Sequence, residues 1–377
     1  MDKIRAGRNE VKIFKSLQVG RGLAALMVVF YHCEGLFSLA KYWHLTRYYF
    51  HFGSSGVDFF FVLSGIVILH AHRSDIGKPS RLRTYLWKRF RRIYPIYWII
   101  LLMLLPLYFA LPGMGNGFER KASAIFNSFL LIPITGAETI IPVAWTLYHE
   151  IMFYAVFSFL LIKRFLGIVL LMLWMLASVA ALLLSPSNQL LLVYISPLHL
   201  LFGIGLLVAL TVGHVSRRGL TFAIVGAFGF VICCMYNDFN RAPNSYLPLF
   251  FGTFTAIGML GLMLLERSHK LRFPKFLLLL GEASYSLYLV HYAVLSATAK
   301  MIYPLWARHP VPMAIPFTAM ILLALFAGIG VHLFVEQPLL RRLPRNIRER
   351  FITESVSTQE VQPAQPVNNL AAGSVNG

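Results

Sequence analysis

Acidic residues are scarce in this chain. Only 15 of its 377 residues are Asp or Glu, against 34 Lys or Arg, and charged residues of both signs make up 13%. A soluble domain carries about a quarter charged residues, so a soluble globular protein is excluded. Cysteine is rarer still. Cys33, Cys233 and Cys234 give no zinc-type spacing and no disulfide framework, which leaves packing as their expected role. The histidines show no ligand spacing on one helix, so no metal is expected. No internal repeat is visible, which counts against one common transporter architecture. No cleavable signal peptide is visible either. The first apolar run is too long, has no convincing small-residue cleavage site and carries Arg21 near its start, so it reads as a retained helix. The stretch from Thr353 to Gly377 has no apolar period and is expected to be disordered and without chemistry.

What the chain does have is apolar length. Hydrophobic residues make up 58%. The apolar runs fall near 19–38, 54–71, 93–111, 143–162, 165–184, 190–211, 220–235, 246–265, 277–297 and 313–335. Each is close to the length that crosses a hydrocarbon core. A further run, 122–134, is too short to span comfortably and ends around Pro133. It is expected as a short helix at the outer leaflet. The expected fold is therefore an all-α polytopic membrane protein of about ten transmembrane helices.

The net charge of +19 raises the question of nucleic acid, and its distribution answers it. With the N-terminus inside, 27 of the 34 Lys and Arg lie on inner segments; the other seven are Lys41, Arg47, Arg120, Lys121, Arg241, Lys300 and Arg308. That is the positive-inside pattern, so both termini are expected in the cytoplasm and no nucleic-acid partner is expected. The expected organisation is a cytoplasmic segment 1–16, a membrane domain 17–342 and a cytoplasmic tail 343–377. Its expected surroundings are the lipid bilayer of the inner (plasma) membrane.

Within the apolar runs, Arg21 and His32 are the most informative residues. Eleven residues separate them, about three helical turns, so both face one way roughly 16 Å apart along the axis. A cation and an imidazole inside a membrane helix are costly and point to function. The alternative is that Arg21 snorkels to the inner surface and His32 bonds a neighbouring helix. Counting residues from the helix ends puts His32, Asp58, His149 with Glu150, and His291 at one level, in the outer third of the bilayer. Trp145, Thr146 and Tyr288 share that level. Carboxylates and imidazoles at one depth suggest acid–base work. Asp58 follows Gly53-Ser54-Ser55-Gly56 and has a second reading as a helix cap. On the inner side Arg81, Arg83, Lys88, Arg89, Arg91 and Arg92 crowd together. Guanidinium groups bind phosphates bidentately, although anchoring to anionic lipid explains such a cluster equally well.

In combination these segments resemble the membrane acyltransferase-3 family. The resemblance covers residues 14–342. It rests on Arg21 and His32; Gly56-Val57-Asp58-Phe59-Phe60-Phe61-Val62-Leu63-Ser64-Gly65; Arg89-Phe90-Arg91-Arg92-Ile93-Tyr94-Pro95; Ala144-Trp145-Thr146-Leu147-Tyr148-His149-Glu150; Ser284-Tyr285-Ser286-Leu287-Tyr288-Leu289-Val290-His291; and Glu336-Gln337-Pro338. The AlaTrpThrLeu form resembles the exopolysaccharide-modifying members more than those with a fused periplasmic hydrolase-like domain. The family often has Ser where Thr146 stands, which keeps a hydroxyl.

The resemblance implies an O-acyltransferase. Its donor would be an acyl-CoA, usually acetyl-CoA, met from the cytoplasm, with no permanently bound cofactor. Its acceptor would be a hydroxyl of a cell-surface or exported carbohydrate, with polysaccharide-assembly proteins as further partners. It implies that Arg21 and His32 form the essential pair, with His32 as base, and that Glu150 belongs to the catalytic set. Arg89 and Arg92 would meet the CoA phosphates. Asp58, Trp145, Tyr288 and His291 would support the acceptor or the site. The rival reading is a transporter or flippase of a lipid-linked sugar, which buried titratable residues also fit.

Overall fold

The computed structural model describes residues 14–39, 43, 49–111, 113, 115, 117–133, 138–215, 218–239, 244–268 and 271–344. The expectations for the N-terminal segment before residue 14 and for the tail after residue 344 lie outside these residues. Among the described residues the secondary structure is helical, without a strand.

The long helices follow the apolar runs. In order they are α1 (Lys15–Ser38), α2 (Gly56–His72), α3 (Leu82–Ala110), the short α4 (Ala122–Leu130), α5 (Trp145–Ile162) and α6 (Arg164–Leu184). After them come α7 (Gln189–Tyr194), α8 (His199–Thr211), α9 (Gly219–Phe239), α10 (Leu247–Ser268), α11 (Lys275–Arg308), α12 (Ala314–Val331) and α13 (Gln337–Arg342). The 122–134 run does form a short helix, nine residues long.

Among the described residues, nine helical segments are long and apolar enough to cross a membrane. They coincide with nine of the ten expected spans. The remaining one, α1, has the length at 24 residues but carries Lys15, Arg21 and Glu34. It packs against α2, α10, α11 and α12. A helix enclosed by other helices can hold polar groups that a lipid-facing helix cannot. The outer helices show the complementary pattern. Phe165, Leu173, Leu176 and Leu183 of α6 and Phe228 and Val231 of α9 are exposed. In water such a surface would be a liability; in lipid it is the expected exterior. The chain is a multi-pass membrane protein.

Three boundaries differ from the sequence reading. α3 begins at Leu82, eleven residues before the apolar run at 93–111, and passes through Pro95 without stopping, so Arg83, Lys88, Arg89, Arg91 and Arg92 lie within the helix. α11 continues to Arg308, for 34 residues. The run at 190–211 is broken into α7 and α8 at Ile195–Leu198. Pro197 has no N–H for the ladder and restricts the residue before it, which accounts for the break.

Two close helix approaches position the site. A Cβ on Gly22 would stand 2.8 Å from the backbone nitrogen of Gly281, so α1 and α11 touch backbone to backbone there. Gly65 of α2 and Gly205 of α8 meet in the same way: a Cβ on either would stand 3.0 Å from the other's Cα. Small residues at such crossings let membrane helices gain dispersion contact over their length. The first crossing sets Arg21 beside Ser284; the second sets Ser64 into the bundle centre.

Candidate active site

Helical spacing brings the polar residues together in rows. Thr146, Glu150 and Tyr154 are four apart on α5; Arg89 and Arg92 are three apart on α3; Ser284 and Tyr288 are four apart on α11. Residues three and four apart share a helix face. These three rows, with Arg21 of α1 and Ser64 of α2, line one cavity of about 210 Å³.

The cavity is strongly cationic on one side. Arg21 donates from Nη2 to Ser284 Oγ at 3.0 Å, and Ser284 in turn donates to the Gly281 carbonyl at 2.8 Å. Arg92, Glu150 and Glu336 are among the charges that act on Arg21. The Arg89 guanidinium lies 5.5 Å from the ring centre of Tyr154 and 5.9 Å from that of Tyr85. Its Nη2 reaches His72 Nε2 at 3.5 Å, while His72 Nδ1 donates to Asp75 at 2.9 Å. The Arg89 Nε is buried and has no hydrogen-bond partner among the described residues. An unpaired buried donor is costly, and an anion in the cavity would satisfy it.

Glu150 faces these arginines. Its carboxylate accepts a hydrogen bond from Ser64 Oγ at 3.1 Å and another from the Tyr154 hydroxyl. Depth counting placed Glu150 in one layer with His32; the structure places it with Arg21, Arg89 and Arg92 instead. Tyr288 closes the other end of the cavity, where its hydroxyl donates to the Val143 carbonyl at 3.1 Å and shares a 2.9 Å bond with Thr146 Oγ1. Below the arginines, Glu336 accepts from Ser286 Oγ at 2.7 Å and lies 2.7 Å from His332 Nδ1. A π turn, His332–Glu336, forms here. One residue, Gln337, separates it from Pro338, which cannot donate to the carbonyl four residues back, so the regular ladder slips.

His32 and His291 stand at the Tyr288 end. His291 Nε2 is 3.0 Å from His32 Nδ1. His291 Nδ1 lies 2.8 Å from the Tyr288 carbonyl and 3.1 Å from that of Leu287. A carbonyl oxygen only accepts, so for a neutral ring His291 Nδ1 carries the proton and Nε2 holds the lone pair. His32 Nδ1 must then donate to it, and it also lies 3.0 Å from the Val28 carbonyl. His32 Nε2 is left as the basic nitrogen. The ring of Tyr292 meets His32 edge-on at 5.3 Å.

The remaining members of the expected layer separate. His149 turns away from His32 and pairs with His199, Nδ1 to Nε2 at 2.9 Å. Asp58 is buried in the first turn of α2 and lines neither this cavity nor a second one near Trp145. Arg91 donates to the Leu340 carbonyl of α13. The sequence reading missed Tyr154, His72 and His199. Tyr154 was detectable, being one turn beyond Glu150 on the same face; His72 and His199 had no local signal.

Comparison with known proteins identifies the family. The acyltransferase-3 family model, an acyltransferase domain, matches residues 14–333. The chain belongs to the acyltransferase-3 family. This acyltransferase is 27% identical over 318 residues to the exopolysaccharide production protein ExoZ of Rhizobium meliloti (strain 1021), covering 79% of the chain and 92% of that protein. It is 29% identical over 157 residues to protein 2 in the picA locus of Rhizobium radiobacter, covering 37% of the chain and 77% of that protein. No solved structure matches it significantly. All six sequence blocks of the family resemblance contribute a residue to the arginine cavity, to its imidazole end or to the Glu336 network beside it.

Proposed function

We propose that this acyltransferase moves an acyl group, in the first instance acetyl, from acyl-CoA to a hydroxyl of an exported polysaccharide. The observation that carries the reading is the single cavity that joins Arg21, Arg89, Arg92 and Glu150 to Tyr288, whose ring lies 5.8 Å from that of His291, the partner of His32. The exopolysaccharide-production name of the Rhizobium relative supports the acceptor class.

In this reading the phosphates of CoA lie against Arg89 and Arg92, whose planar forks suit them. Arg21 is about three turns of α1 from His32. It therefore serves the anionic part of the donor rather than the reacting carbonyl. His32 Nε2 takes the proton of the acceptor hydroxyl as its oxygen attacks the thioester carbonyl. The tetrahedral intermediate collapses, the C–S bond breaks, and the thiolate of CoA recovers the proton from His32. The products are an ester and free CoA. His291 holds the His32 tautomer that leaves Nε2 unprotonated. Glu150 offsets the arginine charge before the donor binds.

The same reading puts the arginine end of the bundle, with both termini, on the cytoplasmic side of the inner membrane, where acyl-CoA is available. Reporter fusions to each terminus test this; a signal from outside at either end overturns it. The reaction is tested with membranes containing the protein or its His32→Ala variant, radiolabelled acetyl-CoA and the host's own surface polysaccharide. Alkali-labile label on the polysaccharide, dependent on His32, is expected. Transfer undiminished in His32→Ala would sink the mechanism, and net sugar movement without transfer would return the transporter reading.

A further inference from the structure

A second cavity, of about 380 Å³, lies at the other end of the bundle. α3 starts at the arginines and ends at Ala110; Phe118, beyond that end, lines the second cavity together with Glu138, Trp145, His149 and Tyr292. Trp145 and Thr146 are neighbours on α5, yet the first lines this cavity and the second lines the arginine cavity. On α11 Tyr288 and Tyr292 are divided in the same way. His32 meets Tyr292 edge-on on one side and bonds His291 on the other. The imidazole pair thus lies between Tyr288, which lines the first cavity and stands 5.8 Å from His291, and Tyr292, which lines the second.

The lining has a definite chemistry. Trp145 is 39% exposed, and with Phe118 and Tyr292 it offers flat apolar faces. Glu138 is exposed and brings a carboxylate. His149 brings an acceptor nitrogen, by the following hydrogen bonds. Ser178 Oγ donates to the Trp174 carbonyl at 3.0 Å, so it accepts from His199 Nδ1 at 3.5 Å. His199 Nε2 then accepts from His149 Nδ1, and His149 Nε2 keeps its lone pair. Aromatic faces combined with hydrogen-bond acceptors, and no cation among the described lining residues, suit a ligand that is rich in C–H faces and hydroxyl donors and is not an anion.

We infer that this second cavity is the binding site for the saccharide acceptor, with Trp145 and Glu138 as its principal contacts. The inference rests on the proposed acyl transfer to a polysaccharide hydroxyl. An interfacial anchoring role for Trp145 is the competing account, and the test separates the two.

The experiment uses oligosaccharides cut from the host's own surface polysaccharide and the full-length protein in detergent. In the transfer assay, Trp145→Ala and Glu138→Ala should each raise the acceptor KM by about tenfold, the size of one lost aromatic or charged contact, with the acetyl-CoA KM unchanged. Trp145→Phe should recover most of the loss. Donor and acceptor constants moving together, or neither moving, would overturn the inference. Calorimetric titration of the same oligosaccharides into His32→Ala, which needs no turnover, should show binding that Glu138→Ala weakens. Oligosaccharide binding that survives both Trp145→Ala and Glu138→Ala overturns the cavity assignment. Binding lost in those variants, in a protein that transfers no acyl group, keeps the saccharide cavity and removes the acyltransfer reading instead.

Discussion

His291 Nε2 lies 3.0 Å from His32 Nδ1, and the far nitrogen of His291 is committed to backbone carbonyls of its own helix. One imidazole therefore dictates the tautomer of the other across the α1–α11 interface. A base is most effective when its lone pair is already where the proton will be, and a neighbour that fixes the tautomer supplies that in advance.

Replacing His291 by Ala should lower kcat by about 10–100-fold, the usual scale for loss of an orienting partner, with both KM values little changed. A purely structural role would instead lower the amount of folded protein and leave kcat per folded molecule intact. Steady-state kinetics normalised to folded protein distinguishes them.

Arg89→Ala and Arg92→Ala should each raise the acetyl-CoA KM by about tenfold, and Arg89→Lys should restore little, because an ammonium cannot reproduce the bidentate fork. An acyl-pantetheine donor without the nucleotide should be insensitive to both substitutions. Equal effects on the two donors would place the phosphates elsewhere.

Glu150→Gln retains the volume of the side chain and its contacts with Ser64 and Tyr154 but removes the charge facing the arginines. The protein without donor should melt at lower temperature, since like charges in a poorly solvated cavity are costly. Adding CoA should recover more of the loss than it gains in the unaltered protein, because its phosphates substitute for the carboxylate. Differential scanning fluorimetry with and without CoA measures this; an unchanged melting temperature would show that Glu150 does not balance these charges.

Gly281→Val would drive side-chain atoms into the Gln18 backbone of α1. Overpacking of this kind costs about 1–3 kcal/mol and separates helices that touch through their backbones. Lower thermal stability is expected together with a raised donor KM, because Arg21 and Ser284 sit beside the crossing. Gly35→Ala, where an added Cβ meets nothing within 4 Å, is the control and should leave both unchanged.

Much of this protein is decided locally. Apolar length and scarce acidic residues determine a helical membrane protein, since a backbone in lipid must satisfy its own hydrogen bonds. Helical period determines which residues share a face, so Arg89 with Arg92, and Thr146 with Glu150, were legible as rows. That Arg21 and His32 are costly inside an apolar run was legible too. What faces those rows was not. Counting residues from helix ends joined Glu150 and His149 to His32, but the fold gives Glu150 to the arginines, His149 to His199 and His32 to His291. The count assumes that helices are uniform and start at one level. α3 starts at Leu82 and runs through a proline, and α7 and α8 are broken at Pro197. Partners across helices depend on where backbones approach closely, as at Gly22 with Gly281 and Gly65 with Gly205. Such contacts join residues far apart in the chain. Only the tertiary structure could decide them, and with them the arginine cavity, the aromatic cavity and the imidazole pair between.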